Sequence, residues 1–334
     1  MPAINRGTTL QKCVGNAYLF LPREADTGAR FGDYLVWTGL DKRLNFLNRA
    51  PSVSPDTFVQ SPIGTDIKSN YGPAWVVLPD QMSGYCIYVS QADGGLILRK
   101  FTRKPSPGPD ALAYEWTVGA PQAFPKASPA SAVSAHLGTQ NGRLCLNLAW
   151  AAAGTGTICL GQAFVDPLAD TLTFSSMLTL DKRACTDGVC LIRDGRRYML
   201  AYFDKADNKM RLAHSGDHVF EFDPARDCVL DIRSIYAPAI VRLNTGLIYV
   251  AYTEYTTKVL TYAIAGSGAD GKYKIAVTGI VSQSGGSATA GPTIWPYRVL
   301  KDGVGAEQLL VTYPDETAQV IFVRMSIEPA VIPM

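Results

Sequence analysis

The sequence predicts an all-β fold, a six-bladed β-propeller with four-stranded blades that is closed by the N-terminal strand. Three observations predict it. A small residue and a proline recur ahead of apolar runs, at Gly72-Pro73-Ala74, Ala237-Pro238-Ala239 and Gly291-Pro292-Thr293. Pro238 and Pro292 are 54 residues apart, and Pro73 precedes Pro238 by 165, about three such periods. Each start is followed by a turn and a second apolar run, six in all, and then by a polar turn and a third run. Repetition at such a period is the signature of an array or a propeller.

The first strands begin at those small residues and at the less regular Asn16-Ala17-Tyr18, Ser131-Ala132-Val133 and Asp187-Gly188-Val189. Small side chains suit a crowded axis, and proline is tolerated at the first position of a strand. Second strands are Tyr34–Gly39, Tyr85–Val89, Leu144–Trp150, Tyr198–Tyr202, Ile248–Tyr252 and Leu309–Tyr313. They are short, rich in β-branched and aromatic residues, and bounded by Gly, Pro, Asn and Asp, which argues strand over helix. Third strands include Leu44–Leu47, Lys209–Leu212 and Val320–Val323, and weaker fourth strands are expected around Phe58 and Phe220–Phe222. A four-stranded unit of this size cannot bury both faces alone, whereas stacking units around an axis can. An open solenoid would call for distinct capping repeats, and none is visible. The last unit runs out of chain after its third strand, so Thr8–Cys13 is expected to supply the fourth, next to Val320–Met325. The blades then fall near 14–66, 67–128, 129–183, 184–233, 234–283 and 284–334 plus 1–13, a single domain over 1–334.

Composition agrees. Of 334 residues 47% are hydrophobic and 18% charged, enough for a large core, and the 30 glycines and 21 prolines are spread along the chain. With 31 basic and 29 acidic side chains interspersed, no basic stripe marks a nucleic-acid binder. No apolar run reaches the roughly 18 residues of a membrane span, so no membrane insertion is expected. The N-terminus lacks a charged-then-apolar leader, which points to a cytosolic chain, an unconventional export route or a trimmed start. Seven cysteines do not make a secreted disulfide framework. Cys86, Cys145 and Cys159 sit in apolar runs as small hydrophobes. Cys185 and Cys190 are close enough to pair or to hold half a metal site, but no second Cys/His pair has zinc spacing. Neither a metal nor another cofactor is expected.

The units resemble the sialidase-like propellers. That family often carries an Asp-box, Ser-x-Asp-x-Gly-x-Thr-Trp, between third and fourth strands. Ser215-Gly216-Asp217-His218-Val219-Phe220-Glu221-Phe222 keeps the Ser, the Asp and a final aromatic, and Ser267–Tyr273 and Ser54–Phe58 look like more degenerate copies. The box is a structural turn, so it bears on fold. The family's enzymes also begin with Arg-Ile-Pro, whose arginine binds the substrate carboxylate bidentately. Here the matching stretch is Phe20-Leu21-Pro22, with Arg23 beyond the proline. Phenylalanine cannot bind a carboxylate, and no equivalents of the other triad arginines or of the tyrosine–glutamate nucleophile pair are found. The resemblance therefore implies the fold without sialidase activity.

In such a fold, the turns between second and third strands share one face with the linkers between blades. That face gathers Asp41, Asp93, Asp204, Glu254 and Asp315 from the turns, and Asp66, Tyr71, Arg183, Asp187, Arg233 and Tyr236 from the linkers. Carboxylates and guanidiniums beside aromatic rings can chelate sugar hydroxyls and stack on a sugar's apolar face. Asp and Asn are also good turn formers in their own right. The expected function is lectin-like binding of a glycan or glycoconjugate at loop-face or inter-blade pockets. The alternatives are a glycoside hydrolase using carboxylates of the same face and a protein-interaction scaffold. The five tryptophans read mainly as core, except Trp116 in an irregular insertion between Pro105 and Pro129.

Overall fold

The computed structural model describes residues 4–20, 33–49, 59–61, 67–80, 82–105, 114–166, 171–194, 197–216, 221–243, 245–268, 271–281, 287–301 and 304–326. Among these, the only helical element is a single 3-10 turn, Pro224–Arg226. An N-terminal strand β1 (Ile4–Lys12) precedes the first unit, β2 (Tyr18–Phe20), β3 (Asp33–Thr38), β4 (Leu44–Arg49) and β5 (Val59–Ser61). The second unit is β6 (Ala74–Val77), β7 (Ser83–Val89), β8 (Leu96–Pro105), β9 (Tyr114–Val118) and β10 (Gln122–Ala123). The third is β11 (Ser134–Gln140), β12 (Arg143–Ala151), β13 (Thr157–Asp166) and β14 (Thr171–Phe174). The fourth is β15 (Leu178–Asp194), β16 (Arg197–Asp204), β17 (Lys209–His214) and β18 (Cys228–Arg233). The fifth is β19 (Ala239–Arg242), β20 (Ile248–Thr253), β21 (Leu260–Ser267) and β22 (Tyr273–Ile280), and the last β23 (Thr293–Lys301), β24 (Val304–Pro314) and β25 (Gln319–Ser326).

Each unit is an antiparallel meander, and β1 adds to the outer side of the last one, with Thr8 opposite Ile321. That strand starts at Ile4, earlier than its sequence suggested. The third and fourth units merge into one eight-stranded sheet because the 17-residue β15 is long enough to pair at both ends. Leu178 lies opposite Leu160 of β13, and Val189 lies opposite Tyr202 of β16. Two expectations need correction. The fourth strand of the fourth unit is β18, not Phe220–Phe222; its sequence CVLDIR alternates buried and exposed along its length, the period of a strand with one covered face. The insertion after Pro105 is not wholly irregular, since β9 pairs with the end of β8, Lys104 opposite Glu115.

Second strands read as unbroken apolar runs because both of their faces are covered. In β3, Leu35 and Trp37 pack against Leu310 and Phe322 of the last unit, while Val36 points the other way, among Trp75 and Phe101 of the second. All seven residues of β7 are buried for the same reason. The large apolar clusters lie at the junctions between consecutive units, including one that joins the first unit to the last. The first strands touch in order, β2 with β6, then β11, β15, β19 and β23, and β23 touches β2. Crowding there explains the small residues. A Cβ on Gly72 would collide with the backbone of Asn16, and one on Gly291 with that of Ala237.

A backbone device repeats at the junctions. Each turn between second and third strands has a residue at positive φ shortly before its third strand: Lys42, Gly94, Gly156 (with Gly154 also at positive φ in that turn), Asn208, Lys258 and Ala318. Five of their carbonyls accept an N–H from the linker leaving that unit. The bonds are Ser69 to Lys42 (2.8 Å), Cys185 to Gly156 (2.9 Å), Ser234 to Asn208 (3.3 Å), Ala288 to Lys258 (2.8 Å) and Cys13 to Ala318 (2.9 Å). The left-handed residue turns its carbonyl out of the hairpin, where the linker can reach it.

Candidate functional site

Antiparallel pairing sets the start of each first strand, the end of each second strand and the start of each third strand at one end of the sheets. The linkers and the second-to-third turns therefore share a face. Two open grooves lie on it. One, of about 430 Å³, is bordered by Lys182 and Arg183 of the linker into the fourth unit and by Asp204 and Lys205 of that unit's turn. The other, of about 480 Å³, is bordered by Lys68 of the linker into the second unit, by Gln91 of its turn, and by Tyr88, Ile97 and Arg99. Both thus lie where a linker meets the turn of the unit it enters. Arg99 keeps a buried Nε without a hydrogen-bond partner.

Most of the turn carboxylates serve their own turns. Asp41 Oδ1 accepts from Arg43 N (3.1 Å), and Asp315 Oδ1 from Thr317 N (2.8 Å) and Gln319 N (3.0 Å). Asp204 accepts from Ala206 N (2.8 Å) and also pairs with Arg211, which reaches Asp207 as well. Burial works against the Glu254 carboxylate, yet the N–H groups of Thr257 and Thr256 hold its pKa below the ordinary value. These are the side-chain–backbone turns that Asp and Glu favour.

The linker residues divide. Arg183 is buried and grips Asp227 with two bonds of 2.8 Å, a partner 44 residues away that the sequence did not suggest. Asp187 Oδ2 accepts from Ala237 N (3.0 Å), and burial pushes its pKa above the ordinary value. The Tyr71 carbonyl accepts from Thr38 Oγ1 and Ser69 Oγ, both at 2.7 Å. The N–H of Tyr236 is held by Ser234 Oγ, and the Arg233 carbonyl accepts from Tyr255 N. Asp66 lies outside the described residues, as do Pro22 and Arg23. Of the whole set, Arg183 and Asp204 border one groove, and the others are not brought together around one pocket.

A third feature was not read from the sequence. First strands of five units, with Asn16 from the linker into the first, line a central cavity of about 380 Å³. Among the described lining residues its polar side chains include His136, Arg193 and Arg242, and Trp295 supplies an aromatic carbocycle. The signal was present in register: His136, Arg193, Arg242 and Trp295 all stand three to six residues past the small residues that start their strands.

Of the Ser215 segment the described ends are paired, Ser215 bridging Phe222 and Gly216 N bonded to Glu221 O (2.7 Å), while Tyr198 N donates to Ser215 Oγ (2.8 Å). Asp217 and His218 fall outside the described residues, as does the Ser54–Phe58 copy. The cysteines are free thiols, with Cys185 buried and Cys190 at the cavity wall. Among the described residues no cluster of His, Cys, Asp or Glu fits a metal ion, and no helix is long and apolar enough to cross a membrane.

No protein-family model and no curated protein matches the chain. Solved structures do. Trypanosoma rangeli sialidase in complex with the inhibitor DANA matches with a TM-score of 0.54 at 11% identity, over 96% of this chain and 59% of that one. A mutant of the same sialidase displaying trans-sialidase activity gives 0.56 at 11% identity, over 97% and 59%. The complex with sialic acid gives 0.54 at 10% identity, again over 97% and 59%. This chain therefore spans about three fifths of the sialidase chains it matches. At such identity the likeness is one of fold, and the fold is that of a sialidase-like β-propeller.

Proposed function

We propose that the chain is a closed propeller of six blades, five of four strands and the second of five with β9 and β10 both pairing with β8, and that it binds glycans on its linker-and-turn face without hydrolysing them. Support for six blades comes from the six clusters at successive junctions, and support for closure from β1 pairing with β25 and from the Cys13–Ala318 bond. The observation that carries the lectin-like reading is the pair of open grooves at matching positions of two blades. Shallow, repeated grooves with polar rims suit the exposed hydroxyls of a glycan. Hydrolysis would call for two converging carboxylates. The turn carboxylates are instead engaged in their own turns, and the described lining of the central cavity includes no Asp or Glu. Sialic acid in the complex of the sialidase neighbour is consistent with a glycan partner, though its identity of 10% carries no specificity.

A glycan array with the full chain tests this. Binding of at least one glycan is expected, weakened about tenfold by Lys68→Ala with Gln91→Ala at the exposed rim of the larger groove. Turnover of a bound glycan would turn the reading to a hydrolase. Silence across the array would leave a protein-interaction scaffold.

A further inference from the structure

The central cavity is chemically unlike the grooves. Its walls are mostly Ala, Val, Leu, Ile and Pro from the first strands, and Trp295 adds a flat face. A polyhydroxylated sugar placed here would leave hydroxyls against apolar walls, each costing free energy without a partner. Asn16, Ser134 and Thr293 lie near the strand starts, whereas the basic side chains are gathered. Counting along each strand from its small-residue start, prolines and alanines line the end near the linkers. His136, Arg193 and Arg242 stand further along, toward the opposite end.

All three are basic, and no acidic side chain is among the described lining residues. Asp194, next in sequence to Arg193, is paired with Arg242. Arg193 is exposed at the wall. His136 lines the wall from the neighbouring first strand, and burial holds its pKa below the ordinary value. An apolar slot of this size with a few convergent polar groups is the usual form of a small-molecule site.

We propose that the central cavity binds a small organic anion with a flat apolar body, its carboxylate held by Arg193 and His136 and its ring system against Trp295. A guanidinium meets a carboxylate through two parallel bonds, and the apolar walls cover the ligand's flat body. This site is separate from the glycan grooves and does not depend on them.

Calorimetric titration of the full chain with 2-naphthoate and, as the uncharged control of equal shape, 2-naphthamide tests the proposal. The carboxylate should bind at least tenfold more tightly than the amide. Arg193→Gln, at an exposed side chain, should erase that preference. Ala135→Leu, which narrows the cavity, should weaken both ligands, while Lys68→Ala should leave naphthoate binding as it was. Equal affinity for the two ligands, an unchanged preference in Arg193→Gln, or no binding of either would overturn it. If Ala135→Leu does not fold, Arg193→Gln decides alone.

Discussion

The backbone N–H of Cys13 donates to the carbonyl of Ala318 across 2.9 Å, tying the segment that enters the first unit to the turn of the last. It is the bond that Ser69, Cys185, Ser234 and Ala288 make at other junctions, here between residues 305 positions apart. Ala318 takes positive φ to present that carbonyl, a conformation that costs a non-glycine residue roughly 1–2 kcal/mol. Threonine hydroxyls reinforce the same junction, Thr293 and Thr312 both donating to Ala17 O, at 2.6 and 2.7 Å.

Under the proposed closure, deleting residues 1–13 removes β1 and this bond together. The loss should be several kcal/mol, against about ±0.5 kcal/mol at innocuous surface sites. Calorimetry of the truncated and full chains checks it, and equal melting temperatures would show that β1 is dispensable.

Crowding between first strands makes a second prediction. Gly291→Ala forces a methyl into the Ala237 carbonyl oxygen, so backbone must shift, and should cost about 1–3 kcal/mol. Gly216→Ala, where the new methyl meets its nearest neighbour at an ordinary 3.7 Å, should be nearly neutral. Urea unfolding of the two variants separates them.

The Arg183–Asp227 pair should behave as structure. Its side chains are only 4% and 14% exposed, so Asp227→Ala strands a guanidinium and should cost about 3 kcal/mol. A variant as stable as the parent would show that Arg183 finds another partner and can be released to the groove it borders.

Asp187 should make stability fall as pH rises. Its folded pKa lies above the unfolded value because burial penalises the carboxylate. The folded form thus holds its proton more tightly, an advantage present below the unfolded pKa and lost as pH climbs through the folded one. Asp187→Asn can still accept from Ala237 N and should therefore melt higher than the parent at pH 7. The gain should vanish in acid, and thermal melts at both pH values decide it.

Tyr198 reaches from the fourth unit to accept from Asn147 Nδ2 of the third (2.8 Å), and Gln162 Nε2 donates to Asn147 Oδ1 (2.9 Å). Asn147→Ala breaks both bonds in a buried site and should cost about 2–3 kcal/mol, more than Tyr198→Phe at about 1 kcal/mol. Chemical denaturation that ranks them the other way would refute the network.

Under the proposed non-hydrolytic reading no sialidase activity is expected, in keeping with the Phe20-Leu21-Pro22 stretch of the sequence. Fluorophore release from a sialic-acid reporter, abolished by a change in either the cavity or a groove, would overturn this.

The sequence by itself determined where the first and second strands run, though not the fourth strand of the fourth unit or β9. Period, small-residue starts and doubly apolar second strands are local patterns, and each answers to a local cause: a pleat of period two, a crowded axis, a sheet covered on both faces. It also determined the turns, because Asp41, Asp204 and Asp315 cap backbone only two to four residues away. Tertiary structure alone decided which side chains meet. Arg183 finds Asp227 across 44 residues, Asn147 finds Tyr198 across 51, and His136, Arg193 and Trp295 come to one cavity from three different units. Those meetings depend on how one sheet stacks on the next. Stacking is set by packing across whole faces, so no single stretch of chain records it.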